Sequence, residues 1–335
     1  MAIIYHPQYL NHIQGSYHPE SPERLIAINA KLDEERLFKD VLTPEPASKK
    51  DLEKIHTKEH VEFIMKVGEG RIDVDTVSHE NTFEIALLAA GGAMQAAESS
   101  YSERKPAIGL LRPPGHHAGP DYGGGFCYFN NLALAAVTLL DDVKKVAIVD
   151  IDVHHGNGTN DIFCKRKDVL YISTHQWGIY PGTGPFNYVG EEEGEGFTVN
   201  LPFPAKSGDT TYDMAWEEVV KPILSQFKPE AMLVSVGGDA HYMDPLASLT
   251  WSTLGFVSFA DSLIKTAKKL CEGRISFYLE GGYHLGALAD IIAGIVAKFY
   301  DVEASLFFRE IYDLDVLGKE TIDKVKEIQG SYWKL

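Results

Sequence analysis

The feature that most constrains the fold is an alternation of short apolar runs with longer amphipathic segments. The apolar runs, rich in β-branched residues, are AIGLL (107–111), VAIVDID (146–152), VLYIST (169–174), FTVNL (197–201), MLVSV (232–236) and ISFYLE (275–280). Helical patterns cover 81–100, 131–141, 209–227, 253–271 and 285–300. Strands that are apolar throughout and separated by helices are typical of a parallel sheet buried on both faces. The sequence therefore predicts an α/β layered fold.

The two ends of the chain fit the same domain. Near the start, Ser21-Pro22-Glu23-Arg24 predicts a helix cap with Pro22 at the first helical position, followed by the periodic segment LIAINAKL. The charged segment 301–335 predicts a helical element docked on the surface. No linker, repeat or low-complexity tract divides the 335 residues, so we expect one catalytic domain over 1–335.

Charge and cysteine content restrict the partners. The chain has 31 Lys plus Arg against 48 Asp plus Glu, a formal charge of −17, which opposes binding to nucleic acid and favours cationic ligands. The start, MAIIYHPQYL, lacks the pattern of a signal peptide, and no apolar stretch is long enough to cross a membrane. Cys127, Cys164 and Cys271 form no CxxC pair, so neither a disulfide framework nor a cysteine metal site is indicated. We expect a cytoplasmic protein.

Polar groups follow three of the predicted strands. They are Asp150, Asp152 and His154 after the second run, Asp239 and His241 after the fifth, and Glu280 and Tyr283 after the sixth. If the strand continues through Asp150, Asp152 and His154, their i, i+2, i+4 spacing points all three to one face. The carboxyl ends of parallel strands form the crevice where ligands bind in open α/β sheets. One such group alone is more often a cap or a satisfied polar residue, but their coincidence at one edge indicates an active site.

A loop between the first two strands carries two adjacent histidines. In LRPPGHHAGPDYGGGFCYFNN (111–131), His116 and His117 lie between a Pro-Pro-Gly turn and three glycines. Neighbouring side chains diverge on a helix or a strand, so a loop is the natural way to direct both imidazoles to one place. Asp152, His154 and Asp239 offer two carboxylates and one imidazole with a coordination position left for water, as in catalytic zinc sites. Fe²⁺ and Co²⁺ suit the same ligands.

Several spaced motifs together carry a family resemblance. They are HPESPERL (18–25), RPPGHHA (112–118), GFCYFNN (125–131), DIDVHHGNGT (150–159), ISTH (172–175), YPGTG (180–184), GGDAHYMDPLA (237–247) and LEGGY (279–283). In this order the sequence resembles the zinc-dependent histone deacetylases, which include prokaryotic deacetylases and acetylpolyamine amidohydrolases. Asn157 and the RPPGHHA form look like the class II branch. The resemblance implies the three-layer arginase/deacetylase fold, with a mostly parallel sheet of about eight strands flanked by helices.

The resemblance also implies roles for single residues. Zn²⁺ would be held by Asp152, His154 and Asp239. The catalytic groups would be His117 as general base, His116 supported by Asp150, Asn157 as the neutral partner of His117, and Tyr283 as donor to the oxyanion. A potassium ion would be held by Asp150, Asp152, His154, Ser173 and Thr174. Asn157 offers an amide where a carboxylate would make the imidazole more basic, so we expect a less basic His117.

The substrate tunnel is predicted in the same way. Phe126 and Tyr180 match the aromatic walls of the family's tunnel, and Gly125 leaves room for the substrate chain. Glu20 and Asp121 are predicted for loops at the rim. Leu246 stands where polyamine-selective relatives can place a glutamate. Between the helix ending near residue 67 and the segment starting at 81 there is no long insertion of the kind that forms dimers in bacterial polyamine enzymes. We therefore expect acetyl-lysine peptides to be preferred over acetylpolyamines.

Three alternatives remain open at this stage. A binuclear manganese ureohydrolase shares the fold, but Gly156 and His241 stand where a second metal would need carboxylates. A non-catalytic binding protein could use the same fold, although Tyr283 and both histidines are present. A hydrolase of another small amide or ester is equally compatible with the motifs.

Overall fold

The computed structural model describes residues 1–308 and 317–335. Within them the strands are β1 (Ala2–Ile4), β2 (Val41–Leu42), β3 (Gly70–Arg71), β4 (Val77–Ser78), β5 (Ala107–Gly109), β6 (Val146–Asp150), β7 (Val169–Gln176), β8 (Thr198–Phe203), β9 (Ala231–Val236) and β10 (Ile275–Leu279). The helices are α1 (Glu23–Glu34), α2 (Lys49–Leu52), α3 (Lys58–Lys66), α4 (Thr82–Glu103), α5 (Asn131–Leu139), α6 (Asn157–Phe163), α7 (Asp209–Ala215), α8 (Lys221–Phe227), α9 (Thr253–Leu270), α10 (Leu285–Phe299) and α11 (Lys319–Gln329).

Eight of these strands form one parallel sheet in the order β2-β1-β5-β10-β9-β6-β7-β8. All residues of β5 to β10 are buried, so both faces of the sheet are covered. Helices α4 and α5 pack on each other and on β1, β5, β9 and β10, while α1, α9 and α10 form a second packed group. The α/β fold with a sheet of about eight strands is confirmed.

The helix predicted over 209–227 is interrupted. It consists of α7, a π-helical turn over Trp216–Val220, and α8. The N–H of Lys221 bonds to the carbonyl of Trp216, one residue further back than in an α-helix. Pro222 follows at once, and it has no N–H to continue the ladder while its ring displaces the carbonyl four residues back. The proline thus accounts for the wider turn.

The two ends of the chain differ slightly from their predictions. Helix α1 begins at Glu23, so Pro22 takes the cap position rather than the first helical position. The Ser21 side chain bonds to Glu23 instead of capping the helix. At the other end, α11 confirms the docked helix, since Ile322 and Val325 are fully buried and the segment lies against β8. The part of the predicted tail helix over 309–316 lies outside the described residues.

The element between α3 and α4 is a short hairpin of β3 and β4. None of the helices in the described ranges is both long and apolar enough to span a membrane.

Candidate metal and catalytic site

The candidate site is a cavity at the carboxyl edge of the sheet, beyond the ends of β5, β6, β9 and β10. Its volume is about 310 Å³. Its lining residues are His18, Pro19, Asp75, His117, Gly125, Phe126, His154, Tyr180, Leu246 and Tyr283. Loops that follow different strands therefore meet around one cavity, as in other open α/β sheets.

Three side chains that the sequence predicts as metal ligands lie together beside this cavity. His154 Nδ1 is 3.1 Å from Asp152 Oδ1 and 3.2 Å from Asp239 Oδ2. One donor atom from each of the three residues lies within 4.8 Å of the others. Two carboxylate oxygens and an imidazole nitrogen converging on one point are the donors that a catalytic zinc site uses.

The turn after β6 explains how these side chains meet. The condition that the strand continue through Asp152 and His154 is not met, because β6 ends at Asp150. Beyond it the Asp152 N–H donates to Asp150 Oδ1 at 3.2 Å, and the His154 N–H donates to Asp152 Oδ1 at 2.8 Å. The Val153 N–H donates to Asp239 Oδ1 at 3.0 Å. Carboxylates that accept turn amides, rather than strand alternation, set the geometry.

The triad is short of positive charge. Asp152 and Asp239 are fully buried, and Asp239 Oδ2 accepts no hydrogen bond from the residues that the structure describes. Burial alone would lower the pKa of His154, but its hydrogen bond to Asp152 and the adjacent carboxylate of Asp239 outweigh burial and raise the pKa to about 10. The two carboxylates thus favour the protonated form of the His154 ring. A divalent cation would interact with both carboxylates directly. The residues present fit a metal ion.

Two glycines allow the carboxylates to sit this close to the backbone. A Cβ on Gly237 would lie 1.8 Å from Asp152 Oδ2, and a Cβ on Gly281 would lie 2.1 Å from Asp239 Oδ2. Any larger residue at either position would displace a carboxylate. The Gly-Gly pairs after β9 and β10 therefore provide space for the triad as well as turns.

The two adjacent histidines are held by different partners. His116 Nδ1 lies 3.1 Å from Asp150 Oδ2, and His117 Nδ1 lies 2.8 Å from Asn157 Oδ1. The Tyr171 hydroxyl donates to Asp150 Oδ2 at 3.0 Å and fixes that carboxylate. The ring centroids of His116 and His117 are 4.0 Å apart. Both pairings have the partners expected from the sequence.

These environments separate the protonation of the two rings. Burial disfavours a charged His116, yet Asp152 and Asp150 outweigh burial and raise its pKa to about 10. Burial lowers the pKa of His117 well below its usual value, and the neighbouring rings of His116 and His154 lower it further. The two environments thus favour the charged form of His116 and the neutral form of His117.

Tyr283 enters the cavity from the loop after β10. Its backbone N–H donates to Asp244 Oδ2 at 2.6 Å, and its ring meets that of Phe126 edge-on with centroids 5.9 Å apart. Burial and the nearby Asp239 raise the pKa of the Tyr283 phenol well above its usual value. The hydroxyl stays protonated at neutral pH and can act as a hydrogen-bond donor.

The predicted wall residues Gly125, Phe126, Tyr180 and Leu246 all line the cavity. A Cβ on Gly125 would lie 2.5 Å from His117 Cδ2 and 2.8 Å from Tyr180 Cε1, so a side chain there would fill the passage. The Tyr180 and His117 rings are 4.9 Å apart and nearly perpendicular. Leu246 is 41% exposed. These four residues form an apolar entrance to the polar end of the cavity.

The loops of Glu20 and Asp121 both reach the cavity, the first through His18 and Pro19 and the second through Gly125 and Phe126, but the two carboxylates do not line it. Glu20 is completely buried and is paired with Arg112 and Arg24. Asp121 is exposed, but it is not one of the residues that line the cavity. Neither carboxylate faces the tunnel.

The residues predicted to hold a potassium ion lie where β6 and β7 end. Asp150 pairs with Ser173 in the strand register, and the Thr174 hydroxyl donates to the Asp150 carbonyl at 3.4 Å. The Ser173 hydroxyl contacts His175 Nδ1 at 2.9 Å. Ser173 and Thr174 are fully buried. The structure thus brings these residues next to Asp150 and the metal triad.

The sequence reasoning missed the contribution of the β3–β4 hairpin. Asp73 Oδ2 accepts the Gly125 N–H at 3.1 Å, and the Thr76 hydroxyl accepts the Phe126 N–H at 2.8 Å. Asp75 is exposed and lines the cavity. His18, which belongs to the HPESPERL motif, packs edge-on against Phe126 with centroids 4.5 Å apart. The only local signal was the turn-forming sequence DVDT, which does not reveal what the turn contacts.

Comparison with known proteins identifies the family of the chain. The histone deacetylase domain matches residues 18–299. The chain is 40% identical to a probable deacetylase of Archaeoglobus fulgidus over 99% of this chain and 98% of that protein. It is 38% identical to the chloroplastic histone deacetylase 10 of Oryza sativa subsp. japonica, over 92% of this chain and 75% of the relative. A crystal structure of the HDA15 HD domain superposes with a TM-score of 0.90 at 34% identity, covering 99% of this chain and 94% of that chain.

The family match covers more than half of the chain, and both relatives exceed 30% identity over most of their length. The structural match extends the agreement to the whole arrangement of sheet and helices. The chain belongs to the histone deacetylase family, and it is a deacetylase of the hydrolase class.

Proposed function

We propose that this protein is a zinc-dependent amidohydrolase that removes acetyl or similar short acyl groups from primary amines such as acetyl-lysine side chains. The observation that supports this function is a single cavity lined by His154 of the metal triad, His117 and Tyr283. Amide hydrolysis needs an electrophilic centre, a proton-transfer group and an oxyanion donor, and these three groups can supply them. Residues 1–335 act as one catalytic domain in this proposal.

Asp152, His154 and Asp239 would hold the zinc ion, and Fe²⁺ or Co²⁺ suits the same ligands. When bound, the metal polarises the acetyl carbonyl and lowers the pKa of a water molecule. Asn157 Oδ1 can only accept a hydrogen bond, so His117 donates through Nδ1 and keeps Nε2 free to take a proton. His117 thus removes a proton from the attacking water and returns one to the leaving amine.

The remaining groups stabilise charge. His116, held by Asp150, places a positive charge beside the reacting centre. The Tyr283 hydroxyl donates to the oxyanion that forms as water adds to the carbonyl. A potassium ion held by Asp150, Asp152, His154, Ser173 and Thr174 would fix the turn after β6. Phe126 and Tyr180 flank the alkyl chain of the substrate.

Leu246 supports the acetyl-lysine assignment. Its side chain lines the entrance, and it has no charge to bind a distant ammonium group. The apolar entrance instead suits the aliphatic part of a lysine side chain. The net charge of −17 opposes a polyanionic partner such as nucleic acid.

One observation favours a second candidate, an acetylpolyamine hydrolase. Asp75 places an exposed carboxylate at the cavity, and a polyamine carries ammonium groups beyond the acetylated nitrogen. Asp75 therefore offers the charge that Leu246 lacks. The two candidates share the chemistry and differ only in what lies at the entrance.

The experiment compares kcat/KM for an acetyl-lysine peptide and for acetylspermidine, with Asp75→Asn as a matched variant. The first candidate predicts that the peptide is preferred and that Asp75→Asn changes the ratio little. A preference for acetylspermidine of about tenfold or more that disappears in Asp75→Asn would favour the second candidate. Absence of hydrolysis of both substrates by the zinc-loaded protein would contradict both.

A further inference from the structure

The carboxylate of Glu280 lies between the two loops that carry the catalytic groups. Glu280 follows the last residue of β10 and is only 1% exposed. Its Oε2 accepts the N–H of Gly115 at 2.7 Å and that of His116 at 3.2 Å. Its Oε1 accepts the Ser235 hydroxyl at 3.3 Å. All three partners are uncharged donors, and two of them belong to the backbone of the double-histidine loop.

The backbone of the same residue is fixed as well. The Glu280 N–H donates to the Val236 carbonyl at 2.9 Å, which continues the pairing of β10 with β9. Arg24 donates to the Glu280 carbonyl at 2.5 Å and to the Gly282 carbonyl at 2.7 Å. Glu280 therefore starts the loop that leads to Tyr283, and that loop cannot shift without breaking these bonds.

This arrangement joins two loops that leave neighbouring strands. The loop with His116 and His117 follows β5, the loop with Tyr283 follows β10, and these two strands are paired in the sheet. His117 and Tyr283 must act on the same acetyl group. Reacting groups that are displaced by about 1 Å can lose about a hundredfold in rate, so the spacing of the two loops matters.

We propose that Glu280 is a positioning residue whose carboxylate holds the double-histidine loop against the Tyr283 loop. This inference rests on the proposed hydrolase function for its effect on rate. The hydrogen bonds, not the charge, carry the role, because two backbone N–H groups converge on one oxygen. A glutamine oxygen at the same place can accept both of them, and its amide N–H₂ can donate to Ser235. A shorter aspartate withdraws its carboxylate by about 1.5 Å and loses them.

The test compares Glu280→Gln, Glu280→Asp and Glu280→Ala in the zinc-loaded protein. We expect kcat to fall by about 30-fold or more in Glu280→Asp and Glu280→Ala with KM changed by less than about threefold, and to stay within about fivefold in Glu280→Gln. Ser276→Ala is the matched control, because it removes a buried hydroxyl of β10 that is hydrogen-bonded to Tyr278 rather than to either catalytic loop. It should keep kcat within about twofold.

A second readout does not depend on catalysis. Hydrogen–deuterium exchange of peptides covering 113–119 should show protection retained in Glu280→Gln and lost in Glu280→Asp. Glu280→Asp and Glu280→Gln test the positioning role even if Glu280→Ala does not fold. A larger loss of kcat in Glu280→Gln than in Glu280→Asp, or equal exchange in both, would overturn the proposal. An inactive wild type with the expected exchange pattern would contradict the function and leave the positioning role supported.

Discussion

The protein contains two buried clusters of charge that differ in how they are completed. The first, which we call the arginine cluster, consists of Glu20, Arg24 and Arg112, all fully buried. The second is the metal triad of Asp152, His154 and Asp239. In the arginine cluster the carboxylate faces two guanidinium groups, whereas in the triad two carboxylates share one imidazole.

The remaining donors of the arginine cluster are satisfied by the chain itself. Arg112 bonds to the carbonyls of Tyr9 and His12 at 2.7 and 2.9 Å. Asp239 Oδ2 of the triad, in contrast, accepts no hydrogen bond within the described ranges 1–308 and 317–335, and His154 lines an open cavity. A buried charged cluster whose groups are all satisfied is structural, while one that lacks positive charge beside a cavity suits a cation from outside. The difference predicts that the two clusters respond to different perturbations.

The largest effect is expected from Asp239→Ala. The two ligands that remain cannot hold the metal with comparable affinity, so zinc and activity should both be lost. The fold should persist, because Asp152 still lies beside His116 and His154 after Asp239 is removed. Metal analysis, acetyl-lysine peptide hydrolysis and far-ultraviolet circular dichroism check the three statements. Full zinc occupancy with normal activity would refute the ligand assignment.

Glu20→Gln should affect stability rather than metal binding. Burial alone would raise the pKa of Glu20, but the charge and hydrogen bonds of Arg112 outweigh it and lower the pKa from 4.5 to about 2. A carboxylate with a depressed pKa in the folded state stabilises the protein above about pH 4.5, and this stabilisation is lost as the pH falls towards 2. The shift corresponds to about 3 kcal/mol, or more than a hundredfold in the folding equilibrium.

Urea unfolding of the wild type and of Glu20→Gln at several pH values measures how much the Glu20 carboxylate stabilises the fold. The difference in the free energy of unfolding should be about 3 kcal/mol at pH 7 and should shrink below pH 4. Zinc content at pH 7 should be equal in both proteins. A difference that does not change between pH 7 and pH 3 would show that Arg112 does not hold the Glu20 charge.

Tyr283 lies near both clusters, since Arg24 is over its ring and Asp239 is close to its phenol. Arg24 holds the Gly282 carbonyl, and Tyr283 follows next in the chain. Tyr283→Phe removes one hydroxyl and keeps the ring, so kcat should fall by about a hundredfold with KM little changed. Zinc content and stability should be those of the wild type. A kcat within about twofold of wild type would exclude the phenol as the oxyanion donor.

The smallest effect is expected from Leu246→Glu, which adds a carboxylate at the entrance, outside both clusters. The ratio of kcat/KM for acetylspermidine to that for an acetyl-lysine peptide should rise by about tenfold, since the new charge faces the ammonium groups of the polyamine. Leu246→Gln is the matched control of similar size without the charge. An unchanged ratio in Leu246→Glu would show that the residue does not select the substrate.

The sequence predicted the fold well where the signal was local. Apolar strands such as β6 and β9 are buried on both faces, and their sequences predict strands because Asp150 at the end of β6 and Ser235 in β9 are their only polar residues. The short strands β1 and β2 and the hairpin of β3 and β4 were missed. Two or three residues carry no periodicity, and these elements depend on pairing with distant parts of the chain.

In the candidate site, too, features with a local sequence signal could be predicted, and features that depend on long-range contacts could not. The triad and the partners of His116 and His117 could be proposed because their residues stand in recognisable motifs. The fate of Glu20 could not, since a glutamate in a loop has the same local sequence whether it faces water or meets two buried arginines. The position of Asp75 at the cavity could not be predicted either, because the sequence of its turn does not indicate which part of the protein the turn contacts. Long-range contacts of single charged side chains decide both cases.

The most direct measurement is the metal content of the purified protein, taken together with its hydrolysis of an acetyl-lysine peptide. The comparison of the two clusters predicts about one zinc, iron or cobalt ion per chain, with activity lost on chelation and restored by zinc. Asp239→Ala measured in parallel should contain no such ion. Two manganese ions per chain, or hydrolysis that persists after complete removal of metal, would contradict the assignment of the triad as the catalytic centre.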